Sequence, residues 1–200
     1  MADKTIYFNL SQKRNQENYQ KNEIKMKKIP YYEPSKSIRD QITHSSEKRR
    51  QNKFEFLFRK IRNHCLESIA MNNQINSIRI WCHRKRGVKI GKGVMLGVGC
   101  TLDHAFPEYI TMEDNTALAG NVYLICHSNP YSHFKGKLLS YVAPIVIRRG
   151  AWVGINATIL PGVTVGENSI VSAGAIVSKS VPPNCIVAGN PASVIKEFKN

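Results

Sequence analysis

No stretch of the sequence approaches the apolar length that a membrane-crossing helix needs. Residues 1–30 are polar and rich in Lys, Asn and Gln, with no apolar core of the kind a secretory leader carries, so cytoplasmic residence is the expectation. A disulfide framework is also excluded. The five cysteines (Cys65, Cys82, Cys100, Cys126, Cys185) are scattered, odd in number and never paired as C-x-x-C, which speaks equally against a structural zinc site. They read as small, reduced, buried side chains. Aromatic residues make up only 8% of the chain and do not alternate with Lys and Arg as a base-stacking surface requires, so nucleic acid is not an expected partner. From about residue 11 to 70 glycine is scarce, and proline interrupts only at Pro30 and Pro34.

What the chain does have is divided unevenly. Two hundred residues, 42% hydrophobic and 22% charged, suit one principal soluble domain with an appendage. The net charge of +15 resides in the N-terminal part: residues 1–89 hold 21 Lys and Arg against 8 Asp and Glu, whereas residues 90–200 hold 8 against 6. Such a segment attracts anionic partners, including a membrane surface, although nothing else in the sequence supports membrane association. A solvated helical face is the plainer reading. Phe54, Leu57, Phe58, Ile61, Leu66 and Ile69 recur at helical spacing, predicting an amphipathic helix that starts near Ser45 or Ser46. A weaker helix is expected over Gln16 to Met26. Neither helix contains a constellation that reads as chemistry. The expected organisation is a basic, largely helical segment over 1–80 and a β domain over 81–200.

After Arg86 a period of six takes over. Hexads with an aliphatic first residue and a small or β-branched fifth run Ile90–Val94, Leu96–Cys100 and Leu102–Phe106. They continue over Met112–Thr116, Leu118–Val122 and Leu124–Ser128, then without a break from Ile147–Ala151 through Val177–Val181. Only Phe106 departs from the small-residue preference at the fifth place. A short strand and a corner make each side, and three sides close one triangular coil of a parallel β-helix. The first residue of each hexad points inward and stacks on its counterpart one coil away. Gly91, Gly97, Gly154, Gly166 and Gly174 recur where the backbone must turn or be closely approached. The open ends of such a stack need caps, for which the basic segment and the tail 192–200, expected as a short helix, are the candidates. The phase slips around Phe106 to Ile110 and again over an excursion near Pro130 to Ser140, with a hexad at Tyr141–Ile145 expected to re-enter the coil.

The run Ala151-Trp152-Val153-Gly154-Ile155-Asn156-Ala157-Thr158-Ile159-Leu160-Pro161-Gly162-Val163-Thr164-Val165-Gly166 resembles the late coils of hexapeptide-repeat acyltransferases. Ser172-Ala173-Gly174-Ala175-Ile176-Val177-Ser178-Lys179 and Val187-Ala188-Gly189-Asn190-Pro191-Ala192 extend the likeness to the sugar O-acetyltransferase branch, which includes the galactoside and maltose enzymes. The resemblance covers roughly residues 88–197. It implies a left-handed β-helix, against the usual right-handed crossover. It also implies a homotrimer, acetyl-coenzyme A as acyl donor in the groove between neighbours, and no metal. The family's catalytic histidine falls on His127. Coenzyme contacts fall on Trp152 beside the acyl group, on the backbone of Ala173, on Lys179 and on Lys196. Acceptor binding falls on Asp103, His104 and Asn121. Two departures stand out: Leu96-Gly97-Val98-Gly99 replaces an Asn-Phe-Asn run before the acid, and Ser193 replaces a second C-terminal basic residue.

The implied chemistry is direct attack in a ternary complex. Acetyl-coenzyme A is already activated, so what the step lacks is a base for the acceptor hydroxyl, a task suited to an imidazole. Cys126 beside His127 does not make a Cys–His nucleophile, because adjacent strand residues point to opposite faces. A zinc site would need His104, His127 and His133 to converge across a break in phase. Leu102-Asp103-His104-Ala105 is similar to a stretch of serine acetyltransferases, so a serine or amino-sugar acetyltransferase on this scaffold is the alternative enzyme. A non-catalytic β-helix with a basic binding arm is the alternative outside enzymes.

Overall fold

The computed structural model describes residues 26–29, 31 and 53–198. A two-residue strand, β1 (Lys27–Lys28), precedes two helices, α1 (Lys53–Asn72) and α2 (Asn76–Arg86). The first turn of short strands follows as β2 (Lys89–Ile90), β3 (Met95–Leu96) and β4 (Thr101–Leu102). The second is β5 (Ile110–Met112), β6 (Ala117–Leu118) and β7 (Tyr123–Leu124), after which β8 (His127–Ser128) and β9 (Tyr141–Val142) form a lateral arm. The helix resumes with β10 (Ile145–Ile147), β11 (Trp152–Val153) and β12 (Thr158–Ile159), then β13 (Thr164–Val165), β14 (Ile170–Val171) and β15 (Ile176–Val177). It closes with β16 (Cys185–Gly189) and β17 (Ala192–Glu197).

Strands one coil apart pair in parallel, giving three faces: β2-β5-β10-β13, β3-β6-β11-β14-β16 and β4-β7-β12-β15. The hexad phase read from the sequence is the strand register. Ile90, Met112, Ile147 and Val165 align as one column, Leu96, Leu118, Val153, Val171 and Val187 as a second, and Leu102, Leu124, Ile159 and Val177 as a third. All are buried except the half-buried Ile90 at the open end. Burying each such side chain contributes about 1.5–3 kcal/mol, so the columns hold the helix together. Gly97 sits where the next coil passes closest: a Cβ there would lie 2.4 Å from the Ala119 carbonyl carbon. Gly174 has open space around it but a φ of +69°, the left-handed turn that a side chain resists.

Both ends are capped, though not as expected. The tail forms β17, antiparallel to β16, rather than a short helix. Pairing gives the open edge of the second face its missing backbone partners, which an isolated turn of helix does not. At the other end α2 supplies side chains to unpaired backbone of the first coil. Asn76 donates to the Val94 carbonyl and accepts from Leu96 N, Arg79 donates to the Leu96 carbonyl, and Arg84 donates to the Ile90 and Gly91 carbonyls. The division drawn at residue 80 therefore cuts through a helix that belongs to the β-helix.

α1 buries a face other than the one its apolar spacing suggested. Phe54, Leu57, Phe58, Ile61 and Ile69 are exposed, whereas Phe56, Asn63, Leu66, Glu67 and Ala70 are buried. Leu66 and Ala70 pack on Cys82 of α2, and Glu67 pairs with Arg86, so a buried ion pair rather than the widest apolar stripe sets the rotation. The start of this helix near Ser45 or Ser46, and the helix expected over 16–26 apart from Met26, lie outside the described residues.

The second slip in phase also differs from expectation. The chain leaves the coil after Cys126, so Cys126 and not Ser128 is buried there. Tyr141–Val142 does not re-enter the coil: it pairs antiparallel with β8 on one side and with β1 on the other, and the coil resumes at Ile145. The Ile29 amide donates to the Ser140 carbonyl and the Tyr31 hydroxyl to the Leu138 carbonyl, fastening residues 27–29 and Tyr31 along the excursion.

The α2 cap has a pH signature. His83 is buried and its Nδ1 accepts from Arg86 Nη1 at 3.0 Å, so the ring is neutral in the fold. Burial, reinforced by the Arg86 charge, depresses its pKa to about 3. The unfolded chain binds this proton from its ordinary value of 6.5 downward, so the contribution to stability is complete above 6.5 and is lost as pH falls toward 3. Thermal melts between pH 7 and 4 are expected to show a falling midpoint whose slope is reduced in His83→Asn, an amide that can accept from Arg86 but cannot be protonated. An unchanged slope in the variant contradicts this account.

Candidate active site

The site is built where the chain turns off the third face. Leu102 and Leu124 stack in the column, and the residues that follow them, Asp103 and Cys126-His127, meet at that edge. Asp103 is fully enclosed. Its Oδ1 accepts from the amides of Ala105 and Phe106, both at 2.9 Å, and its Oδ2 accepts from the Cys126 amide and from His127 Nδ1, both at 2.7 Å. Burial alone would raise the carboxyl pKa. The hydrogen bond and charge of His127, with the Phe106 and Cys126 amides, outweigh it and hold Asp103 below the usual range, hence ionised.

An ionised carboxylate only accepts, so the His127 nitrogen facing it donates. In the neutral ring the proton therefore sits on Nδ1 and the lone pair on Nε2. The ring is fixed on its other side by Phe106, centroid to centroid 5.4 Å. Phe106, the one residue that breaks the small-residue rule, is accommodated because the chain leaves the coil there through the 3-10 turn Pro107–Tyr109. The His127 side chain keeps 26% of its surface exposed, enough for a small molecule to reach it. Cys126 contributes its amide to this arrangement and not its sulfur: burial, and then the Asp103 charge, push its thiol far above the ordinary value.

A second imidazole stands one residue from Asp103. The His104 side chain is 66% exposed, and its Nδ1 lies 2.5 Å from Oε2 of Glu67 on α1. Glu67 is buried and its other oxygen is 3.2 Å from Arg86 Nη2, whose guanidinium also donates to the Asp103 carbonyl at 3.0 Å. The hydrogen bond to Glu67 raises the His104 pKa, burial opposing it. Glu67 and Arg86 were not legible as site residues, since each reads in sequence as one charge on an amphipathic helix.

The other residues singled out from the sequence fall elsewhere on the same chain. Asn121 lies on the edge between the second and third faces, in a left-handed turn at φ 56°, whereas His127 follows the third face. Ala173 is exposed on that same edge. Trp152 projects half-exposed from the second face in register with Ile170, which leads through Ile186 to Lys196 on β17. Lys179 is exposed just past β15, on the edge of His127 and two coils away, roughly 10 Å along the axis at the usual strand spacing. Asp103, read as an acceptor contact, instead has both oxygens consumed inside the protein. His133 is exposed in the excursion, stacked on Tyr131 and tilted against Phe134. Among the described residues no cluster of three His, Cys, Asp or Glu is placed to hold a metal ion.

Residues 144–179 match the family described as bacterial transferase hexapeptide (six repeats). The chain is 38% identical over 116 residues to a putative acetyltransferase of Schizosaccharomyces pombe, covering 56% of this chain and 54% of that one. It is 40% identical over 94 residues to the galactoside O-acetyltransferase of Escherichia coli, covering 46% and 45%. The chain thus spans about half the length of the curated relatives it matches. Among solved structures, a galactoside acetyltransferase in complex with coenzyme A superposes with a TM-score of 0.56 at 20% identity, over 82% of this chain and 92% of that one. A maltose O-acetyltransferase from Clostridium difficile does so with a TM-score of 0.53 at 21% identity, over 72% and 88%. At those identities the superpositions speak for the fold. With the repeat match and the two relatives, they uphold the resemblance to hexapeptide-repeat acyltransferases of the sugar O-acetyltransferase branch.

Proposed function

We propose that this hexapeptide-repeat chain moves an acetyl group from acetyl-coenzyme A to a hydroxyl of a sugar or glycan precursor, with His127 as general base. The observation that carries the reading is the Asp103–His127 pair: a buried, ionised carboxylate holds Nδ1–H and leaves Nε2 as an acceptor at the exposed end of the ring. Nε2 takes the hydroxyl proton as the acceptor oxygen attacks the thioester carbonyl. The tetrahedral adduct then expels the coenzyme A sulfur, and the proton passes from Nε2 to that sulfur. No bond to the enzyme forms, consistent with the inert Cys126 thiol. Asp103 is accordingly a positioning residue and not an acceptor contact.

The donor's phosphates suit the exposed ammonium groups of Lys179 and Lys196, and Trp152 offers a flat apolar surface beside the acyl end. These residues sit on a face and on an edge of one chain rather than in one pocket. Packing a face of one copy against an edge of another gathers them, which supports a homotrimer with the site between subunits. The outward row Met95, Ala117, Trp152, Ile170 and Ile186 on the second face is a suitable apolar contact for it. In this reading the β-helix is left-handed and Asn121, on the edge of Ala173, meets the acceptor from the neighbouring subunit. No helix among the described residues is long and apolar enough to cross a membrane, and the cytoplasm is the proposed setting.

The test is thiol release from acetyl-coenzyme A with a panel of sugars, alongside light scattering. Release that depends on the acceptor, from a particle three times the 22.6 kDa chain, is the expected result. Absence of acceptor-dependent release leaves a non-catalytic β-helix, and a stable monomer removes the intersubunit site. Release with serine or an amino sugar alone shifts the acceptor class while keeping the chemistry.

A further inference from the structure

Beside the Asp103–His127 pair, α1 and α2 build a second charged cluster with His104. Glu67 and Asp103 are both buried carboxylates, at 5% and 0% exposure, and one buried guanidinium, Arg86, runs between them. Arg86 reaches Glu67 by its side chain but Asp103 only at the backbone carbonyl. An ionised carboxylate in such a place needs a charged partner. Asp103 has His127 and four hydrogen bonds in all, whereas the second oxygen of Glu67 has His104. The charged groups that face His104 are Glu67 from α1, Arg86 from α2 and Asp103 from its own turn. With His104 protonated the four groups balance, two positive and two negative.

Holding Glu67 does not explain the rest of His104. Two thirds of the side chain is exposed, and its Nε2 has no hydrogen-bond partner among the described residues. Its Cα is one peptide, about 3.8 Å, from that of the residue orienting the proposed base. The outcome is an exposed imidazole N–H, held from behind by a buried carboxylate of α1 and one residue along the chain from the carboxylate that orients the proposed base.

We infer that the acceptor carries a carboxylate close to the hydroxyl that is acetylated, and that His104 Nε2–H receives it, so that acidic sugars of the uronic type are preferred to their neutral counterparts. The inference rests on the role proposed for His127. A single N–H with a single charge matches a carboxylate better than a phosphate dianion, which needs several donors. Arg86 cannot supply them, because it is fully enclosed by its protein partners. The rise in the His104 pKa caused by Glu67 keeps the ring charged further toward neutral pH than a free imidazole.

Matched acceptors test this: methyl galactoside against methyl galacturonide, and methyl glucoside against methyl glucuronide, with acetyl-coenzyme A and the full chain. The expected kcat/KM favours the uronides by about ten- to a hundred-fold near pH 6.5, the range of a charge-assisted hydrogen bond. His104→Gln is expected to erase that ratio, chiefly through KM for the uronide. Glu67→Gln keeps a hydrogen bond but removes the charge, so the pH at which the preference disappears is expected to move down. Because the variants also change packing, the His104 imidazole resonance is followed by NMR in the unaltered protein. Uronide should move it and the neutral sugar should not. Equal use of both members of each pair, with acceptor-dependent release intact, overturns this inference and leaves the proposed activity standing. If no sugar is acetylated, the activity falls, and a His104 resonance insensitive to uronide removes the carboxylate site as well.

Discussion

Replacing His127 with alanine is expected to lower acceptor-dependent release of coenzyme A by about 10²–10⁴-fold, the usual contribution of a positioned general base. The ring touches Asp103 and Phe106 but is not in the aliphatic columns, so the β-helix should survive the change. The loss should fall on kcat, because the groups proposed to bind the donor lie elsewhere on the helix. A rise in KM for acetyl-coenzyme A with kcat intact does not fit a base. Release equal to that of the unaltered protein, measured with the same acceptor, sinks the role given to His127. Hydroxylamine, whose neutral nitrogen attacks with its lone pair and need not lose a proton first, is expected to react with the variant at a much smaller deficit.

Asp103→Asn tests the other half of the pair and is expected to cost a comparable factor. Asn presents one oxygen and one NH₂ where Asp103 presents two oxygens to four N–H donors. Whichever way the amide turns, its NH₂ faces a donor. If it faces His127, Nδ1 must accept, the ring proton moves to Nε2, and the nitrogen that should take the hydroxyl proton is blocked. In serine proteases the equivalent tautomer error costs about 10⁴-fold in kcat. Should the NH₂ face the Ala105 and Phe106 amides instead, the turn leading away from the third face is strained and stability falls. The folded pKa of Asp103 is depressed, so its contribution to stability is present above the ordinary value of 3.8 and is lost as pH falls through the folded value. Asp103→Asn should therefore also flatten part of the acid limb of the thermal melt. Full activity in Asp103→Asn contradicts the proposed mechanism, while a variant that melts normally yet has lost kcat agrees with it.

The parts of the site differ in how they could be read from sequence. His127 is the candidate base that the likeness to acetyltransferases offers, and its place at a loop entrance is legible from the break in hexad phase. That Asp103 serves His127 was not identifiable: the two are 24 residues apart, and the register that joins them depends on how the slip at Phe106 to Ile110 is absorbed. The 3-10 turn there restores phase for β5 while leaving Asp103 and Cys126-His127 on one edge. Glu67 gave no signal at all. Its position, 37 residues before His104, says nothing about contact until α1 has rotated to bury it against Arg86. The same rotation defeated the apolar stripe of α1, because pairing a buried charge outweighs covering Phe54 or Ile61 when those can remain at the surface.

The repeat by itself determined the β-helix, because a six-residue period of inward aliphatics has one compact solution: a coil whose neighbours supply every column contact and most backbone hydrogen bonds. That information is local and accumulates with each hexad. The ends, the lateral arm and the charge cluster were decided only by tertiary structure. There the chain leaves the period, and unpaired backbone at β3 and β16, or a lone buried carboxylate at Glu67, takes whichever distant segment can complete it. Asn76 and Arg79, strand β17, strand β1 and His104 fill those places for reasons of hydrogen bonding and charge, neither of which leaves a periodic trace in sequence.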